Sequence, residues 1–254
     1  MPTHSPFVWH ELMVPDTSTA PAFYKGVTGW GTQKFEGPMD YTMWVNGETP
    51  VGGLMPLDKD LQAMGVPSHW LHYVGVANVD DSAALAESLG ARVNVPPTDI
   101  PNTGRFAVLA DPQGASFAIY TSSQDAPPAG DPAIGDFSWT ELGTTDSDAA
   151  FAFYSKLFGW TETSTMDMGG GMMYKMFGGG GAPIGGMYTI GKEMEGMPPN
   201  WLGYVLVTSV ADSVEAVKNG GGQLMSGPMD IPGGKIAVFT DPQGAHFATH
   251  ETVQ

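Results

Sequence analysis

Two glutamates, Glu11 and Glu141, stand 130 residues apart, each two places after a tryptophan, in "FVWHEL" (7–12) and "FSWTEL" (137–142). Read as strands, these stretches put Trp9, Glu11 and Met13 on one face and Trp139 with Glu141 on the matching face, because successive side chains alternate. A carboxylate whose pKa is raised by apolar walls can act as a general base. The same carboxylate can also simply hold strands, by accepting from a tyrosine hydroxyl or a backbone amide. Trp9 and Trp139 offer either core filling or a stacking wall for a flat ligand. His246 and His250 flank Ala248 on one strand face, in the second half of the chain alone. They are a candidate base pair or, with a third ligand, a weak metal site. Arg105 and Lys235 hold matching places where a cation could meet an anionic ligand or merely be solvated.

These residues belong to a duplicated chain. "AFYKGVTGW" (22–30) returns as "AFYSKLFGW" (152–160), and "DPQGASFA" (111–118) as "DPQGAHFA" (241–248), both at the offset of the opening pair. "PVGGLM" and "HWLHYVGVANV" return as "PIGGMY" and "NWLGYVLVTSV" at slightly larger offsets, as loop insertions would give. Between the copies runs "SSQDAPPAGDPAIGD", whose Pro and Gly content suits a linker. The domains so defined are 1–121 and 137–254, joined by 122–136. Each copy divides again. "FVWHELMVP" reads as a strand, and Asp16 or Thr17 can cap a helix in "APAFYKGVTGW" that stops near Gly29. "YTMWVNG" and "PVGGLMPL" follow as strands. The order then restarts with "WLHYVGVA", a helix ending at Gly90, and a hairpin of "FAVLADP" and "ASFAIYT". Four βαβββ modules result, near 7–57, 70–121, 137–190 and 201–252, and the class is α+β. The glycines of "MGGGMMYKMFGGGGAPIGG" suit hairpin turns, since no Lys-Ser or Lys-Thr completes a phosphate loop.

Bulk composition narrows the function. The chain has 254 residues, a net charge of −17 and only 15% charged residues. So few cations disfavour nucleic acid and anionic membranes as partners. Without cysteine there are no disulfides, thiolate metal sites or Cys nucleophiles. No signal-peptide pattern opens the sequence and no apolar run is long enough for a membrane helix, so a cytoplasmic protein is expected.

The strand, "VPD" or "TTD", "FY…GW", "V.NVD…A…LGA.V" and "GRFAVLADPQGA.FA" together resemble the vicinal oxygen chelate superfamily of glyoxalases, bleomycin resistance proteins and extradiol dioxygenases. The likeness is nearest to its two-domain glyoxalase-like members. It implies tandem domains, each of two βαβββ modules forming a cupped mixed sheet with helices outside and a site within. In the family's metal enzymes, His, Gln or Glu on the first strand and Glu on the last strand of each module hold the ion, which acts as a Lewis acid. Counting from the motifs, those positions are Trp9 and Trp139, Leu71 and Leu202, and Ala118 and Ala248. The remaining position, in "PVGGLM" and "PIGGMY", offers only Gly and apolar side chains. None is a metal ligand. A one-residue slip would bring in His10 and His72, but it also turns each side chain to the opposite face.

The resemblance therefore implies aromatic, apolar cups and no cofactor, a divalent metal being disfavoured. Inward residues would be Trp9, Glu11, Tyr73, Ser116 and Tyr120, and Trp139, Glu141, Tyr204, His246 and His250, whether the cups close within a domain or between domains. The expected function is binding of a small apolar or aromatic molecule, as in the bleomycin resistance proteins. The alternatives are an acid–base lyase or isomerase using Glu11 or Glu141, with Tyr73 or Tyr204 as partner acid, or a metal-dependent glyoxalase or dioxygenase. One chain holds the four modules that family dimers assemble, so a monomer is expected and a dimer stays open.

Overall fold

A computed structural model of the chain describes residues 5–36, 41–124, 130–194 and 196–253. The first module runs β1 (Phe7–Val14), α1 (Ala20–Thr28), β2 (Gly31–Lys34), β3 (Thr42–Asn46) and β4 (Thr49–Pro56). A short helix, α2 (Lys59–Ala63), leads to β5 (His69–Gly75), α3 (Val79–Ser88), β6 (Arg92–Ile100), β7 (Gly104–Ala110) and β8 (Ser116–Ser122). The third module is β9 (Phe137–Thr144), α4 (Ser147–Phe158), β10 (Thr161–Asp167), β11 (Met173–Gly178) and β12 (Gly185–Thr189). The fourth is β13 (Asn200–Leu206), α5 (Val210–Asn219), β14 (Gln223–Ile231), β15 (Gly234–Thr240) and β16 (His246–Thr252). The four modules and the α+β class are those expected. Two mixed sheets have matching orders, β2-β3-β4-β1-β5-β8-β7-β6 and β10-β11-β12-β9-β13-β16-β15-β14. The glycine-rich stretch lies at the β11–β12 hairpin and the turn before it, as its turn chemistry predicts.

One cap differs from expectation. Helix α1 begins at Ala20, and the Asp16 carboxylate instead closes a turn by accepting from the Ser18 amide and hydroxyl at 2.8 and 2.6 Å. Pro21 in the first turn needs no donor there, which moves the start past Asp16 and Thr17. In the third module Asp146 does cap α4, accepting from the amides of Asp148 and Ala149. The stops are shared: Gly29 and Gly159 adopt left-handed φ of 81° and 72°, which glycine reaches without a Cβ penalty.

The apolar cores do not follow the two sequence halves. One compact unit comprises Met1–Val8, His72–Ala129 and Trp139–Trp201, the other Trp9–Leu71, Gly130–Ser138 and Leu202–Gln254. In the second unit Leu12, Val14, Phe23, Tyr24, Trp30, Trp44 and Trp70 of the first copy pack with Val210, Val214, Val217, Phe239 and Phe247 of the second. In the first unit Val74, Leu109, Phe117 and Ile119 pack with Leu142, Phe153, Tyr154, Trp160, Phe177 and Trp201. Modules one and four share one core, and modules two and three the other.

The most repetitive motifs turn out to fasten these cores. Tyr24, fully buried, donates to Asp241 Oδ2 at 3.2 Å and accepts from Trp70 Nε1 at 3.0 Å. Tyr154 does the same with Asp111 at 3.0 Å and Trp201 at 3.0 Å. The other oxygen of Asp111 accepts three backbone amides, from Gln113, Gly114 and Ala115, and so shapes the "DPQGA" turn. Trp30 stacks on Tyr24 at 5.8 Å and Trp160 on Tyr154 at 5.7 Å, contacts that contribute ~0.5–1.5 kcal/mol each beyond area burial. Burial and the facing carboxylate hold both tyrosines well above their ordinary pKa, so they stay neutral donors. "FY…GW", "DPQGA" and "WL" are therefore one structural device, made twice.

Candidate functional site

Strand β1 sends Leu12 and Val14 into the core, which leaves Trp9, Glu11 and Met13 on the other face. Parallel pairing sets Glu11 opposite Gly53 of β4, and antiparallel pairing sets Met43 of β3 on that same glycine. Tyr41, just before β3, lies over Gly53: any Cβ there would collide with the phenol oxygen and come within 3.2 Å of Trp9 Nε1. The absent side chain is what admits the ring. Trp9 Nε1 donates to the Tyr41 hydroxyl at 2.9 Å, and that hydroxyl donates to Glu11 Oε1 at 2.8 Å. Glu11 is only 6% exposed, so this bond offsets part of the cost of burying a carboxylate. Burial, then the Glu11 charge, push the Tyr41 hydroxyl far above its ordinary pKa and keep it protonated.

The second copy repeats the arrangement. Trp139 Nε1 donates to Tyr174 at 2.8 Å, and burial, then the nearby Glu141 charge, push the Tyr174 hydroxyl far above its ordinary pKa. Glu141 pairs with Gly186, where a Cβ would run into the Tyr174 ring. One pair further along, the copies diverge. The first has Met13 opposite Met55, and the second has Gly143 opposite Tyr188. Tyr188 leans over Gly143, its hydroxyl 3.0 Å from where a Cβ would stand. Burial and the Glu141 charge push that hydroxyl up to about 12.

Two phenols that the strand count did not single out, Tyr41 and Tyr174, thus lie against the two glutamates. They stand in "YTMW" (41–44) and "YKMF" (174–177), a repeat that could have revealed them. Tyr73 is buried, 6.4 Å from the Phe106 ring. Tyr120 donates to the Thr103 carbonyl at 2.8 Å. Tyr204 is buried, and its carbonyl lies 3.4 Å from the Ser138 hydroxyl, which also meets His250 Nδ1 at 3.2 Å. Burial lowers the His250 pKa. His246 is exposed at the start of β16, as is Ser116 at the start of β8. Four residues of extended strand place His246 about 13 Å from His250, too far for a base pair or one shared ion. Arg105 is engaged by Asp80 through two bonds of 2.8 Å and by Asp99 at 2.7 Å, and Lys235 by Asp230.

The residues at the positions that the resemblance marks for metal ligands do not fit a divalent ion. Trp9, Gly53, Leu71 and Ala118, and their counterparts Trp139, Gly186, Leu202 and Ala248, carry no metal-donor atom. His10 is buried on the core side of β1, stacked on Phe137 at 3.8 Å, and His72 is fully buried with its ring edge to Phe7. Among the described residues no three His, Asp or Glu side chains gather around one point.

The family profile described as the Glyoxalase/Bleomycin resistance protein/Dioxygenase superfamily matches residues 7–119 and 136–249, and the chain belongs to that superfamily. "Putative glyoxylase CFP32" of Mycobacterium tuberculosis is 32% identical, over 94% of this chain and 92% of its own. The anthracycline biosynthesis protein DnrV of Streptomyces peucetius is 28% identical, over 96% and 92%. Among solved structures, homoprotocatechuate 2,3-dioxygenase of Arthrobacter globiformis superposes with a TM-score of 0.69 at 13% identity, over 98% of this chain and 80% of its own. The Mn(II)-bound glyoxalase of Novosphingobium aromaticivorans gives 0.64 at 17% identity, over 99% and 83%. At such identities the structural likeness concerns the fold alone. Among the described residues no helix is long and apolar enough to cross a membrane.

Proposed function

We propose that this chain binds a small apolar or aromatic molecule at the Trp–Tyr–Glu face of each copy, without the metal used by the enzymes of its superfamily. The observation that carries the reading is the pair of tyrosines laid over Gly53 and Gly186. Where the family's metal enzymes keep ligands, each copy has an indole and a bare glycine, and a phenol fills the space between them. Indole and phenol rings give a flat ligand its stacking surface, and the glutamate, buried in the first copy and half-buried in the second, supplies one polar anchor, the usual make-up of a small-molecule site. Trp9, Tyr41, Trp139 and Tyr174 all keep partial exposure, so a ligand can reach them.

Acid–base turnover at Glu11 or Glu141 is the second reading, favoured by the phenol held against each carboxylate. An efficient general acid has a pKa near the working pH. Phenols pushed far above their ordinary value suit hydrogen-bond donation instead, which supports binding over proton transfer. The glyoxylase and dioxygenase names belong to relatives and fold neighbours, and the positions at which the resemblance places metal ligands carry no donor side chain.

The test is equilibrium dialysis of bicyclic aromatic probes against the purified chain, with chelator and with added Zn, Ni, Mn or Fe, beside elemental analysis. The expected outcome is probe binding that is indifferent to chelator. Stoichiometric metal whose removal abolishes binding would overturn the reading.

A further inference from the structure

The two copies share Trp, Glu, Tyr and Gly, and differ beside them in one coordinated way. On the face that carries Glu141, the paired residues of β9 and β12 form a block: Glu141 opposite Gly186, then Gly143 opposite Tyr188. Adjacent strands are ~4.8 Å apart, and same-face neighbours along a strand about 6.8 Å. Because Gly143 has no side chain, the Tyr188 ring leans across it and brings its hydroxyl over β9, beside Glu141. Met197 packs on the same glycine, its methyl 3.2 Å from the Cβ position. In the first copy the corresponding pair is Met13 and Met55, two thioethers with no O–H to donate. None of the described residues hydrogen-bonds the Tyr188 hydroxyl, which is half-buried.

A phenolic ligand matches that pair of groups. Its O–H can donate to the Glu141 carboxylate, which accepts several bonds at once, while its oxygen accepts from Tyr188. An isosteric hydrocarbon would bury both protein groups without replacing their water. We propose that the second copy's site selects a hydroxylated aromatic ligand and that Tyr188 is the residue that selects it, the first copy's site being indifferent to the hydroxyl. This rests on the ligand-binding reading above and assigns the two copies different chemistry. The Tyr188 proton is retained across the working pH range, so the donor is always present.

Equilibrium dialysis with 1-naphthol and 1-methylnaphthalene, which differ by O–H for CH₃, tests it on the intact chain. Wild type binds 1-naphthol about five- to tenfold more tightly at one of its two sites, the worth of one hydrogen bond to a buried partner. Tyr188→Phe brings the two probes within about twofold. Gly143→Ala, which pushes the hydroxyl aside, moves the ratio in the same direction, and the matched change Met55→Leu leaves it alone. A ratio that survives Tyr188→Phe overturns the role of Tyr188 while binding itself stands. Retention of neither probe by wild type at about 1 mM overturns both readings together.

Discussion

Removing one oxygen from Tyr154 should cost far more than an ordinary surface change. In Tyr154→Phe the ring stays, so no cavity opens, but two hydrogen bonds go. The Trp201 indole N–H loses its acceptor while 5% exposed, and Asp111 Oδ2 loses its donor while 4% exposed. Each buried polar group left without its partner costs about 1–3 kcal/mol. Asp111 falls at the low end, because its other oxygen keeps three backbone amides. The sum is about 3 kcal/mol, which in a chain of this size lowers Tm by roughly 9 °C. Thermal unfolding followed by near-ultraviolet circular dichroism, with urea titration alongside, measures both quantities. Tyr24→Phe, whose bond to Asp241 is longer at 3.2 Å, should give a similar or slightly smaller loss. A fall of less than about 1 kcal/mol in both variants would mean that ring packing, and not the hydroxyl, fastens the aspartate turn.

Gly53→Ala and Gly186→Ala place a methyl group where Tyr41 and Tyr174 lie, and each should reduce probe affinity in its own copy by about tenfold, read by dialysis. Glu11→Gln and Glu141→Gln keep the shape and one acceptor oxygen, so 1-methylnaphthalene should bind within about threefold of wild type; any turnover detected in wild type and lost in these variants would restore the acid–base reading. Burial pushes His69 and His250 below the ordinary histidine value, so the fold prefers them neutral. The stability they contribute is present above about pH 6.5 and lost as pH falls through their lowered folded values. Urea unfolding at about pH 7.5 and 5 should therefore show a smaller pH difference in His250→Asn than in wild type, and an equal difference would exclude His250 as a contributor.

The duplication, the four modules and most elements were legible because strand alternation and helix signals are local and were written twice. The site was legible only in part. Trp9 and Glu11 share one strand, and Trp139 and Glu141 another, each with a strict period of two, so counting placed each pair on one face. Tyr41 and Tyr174 come from outside those strands, and what seats them is the absence of a side chain at Gly53 and Gly186, which no propensity scale registers. The "FY…GW" and "DPQGA" motifs read as family marks, yet their chemistry is a buried Tyr–Asp–Trp bond network. Its partners lie in opposite copies, and hydrophobic periodicity carries no information about pairing at that distance. Likewise, Arg105 looked available until the fold brought Asp80 and Asp99 beside it.

The two Tyr–Asp fastenings also differ in time. Tyr154 and Asp111 are 43 residues apart, so both have emerged well before synthesis ends, whereas Tyr24 must await Asp241, 217 residues later. At ~5–20 residues per second, Trp30, Trp44 and Trp70 spend roughly ten to forty seconds made but uncovered. The unit containing β16 is then the last to close, and a chain stopped short of that strand leaves a row of tryptophans for chaperones or aggregation to claim.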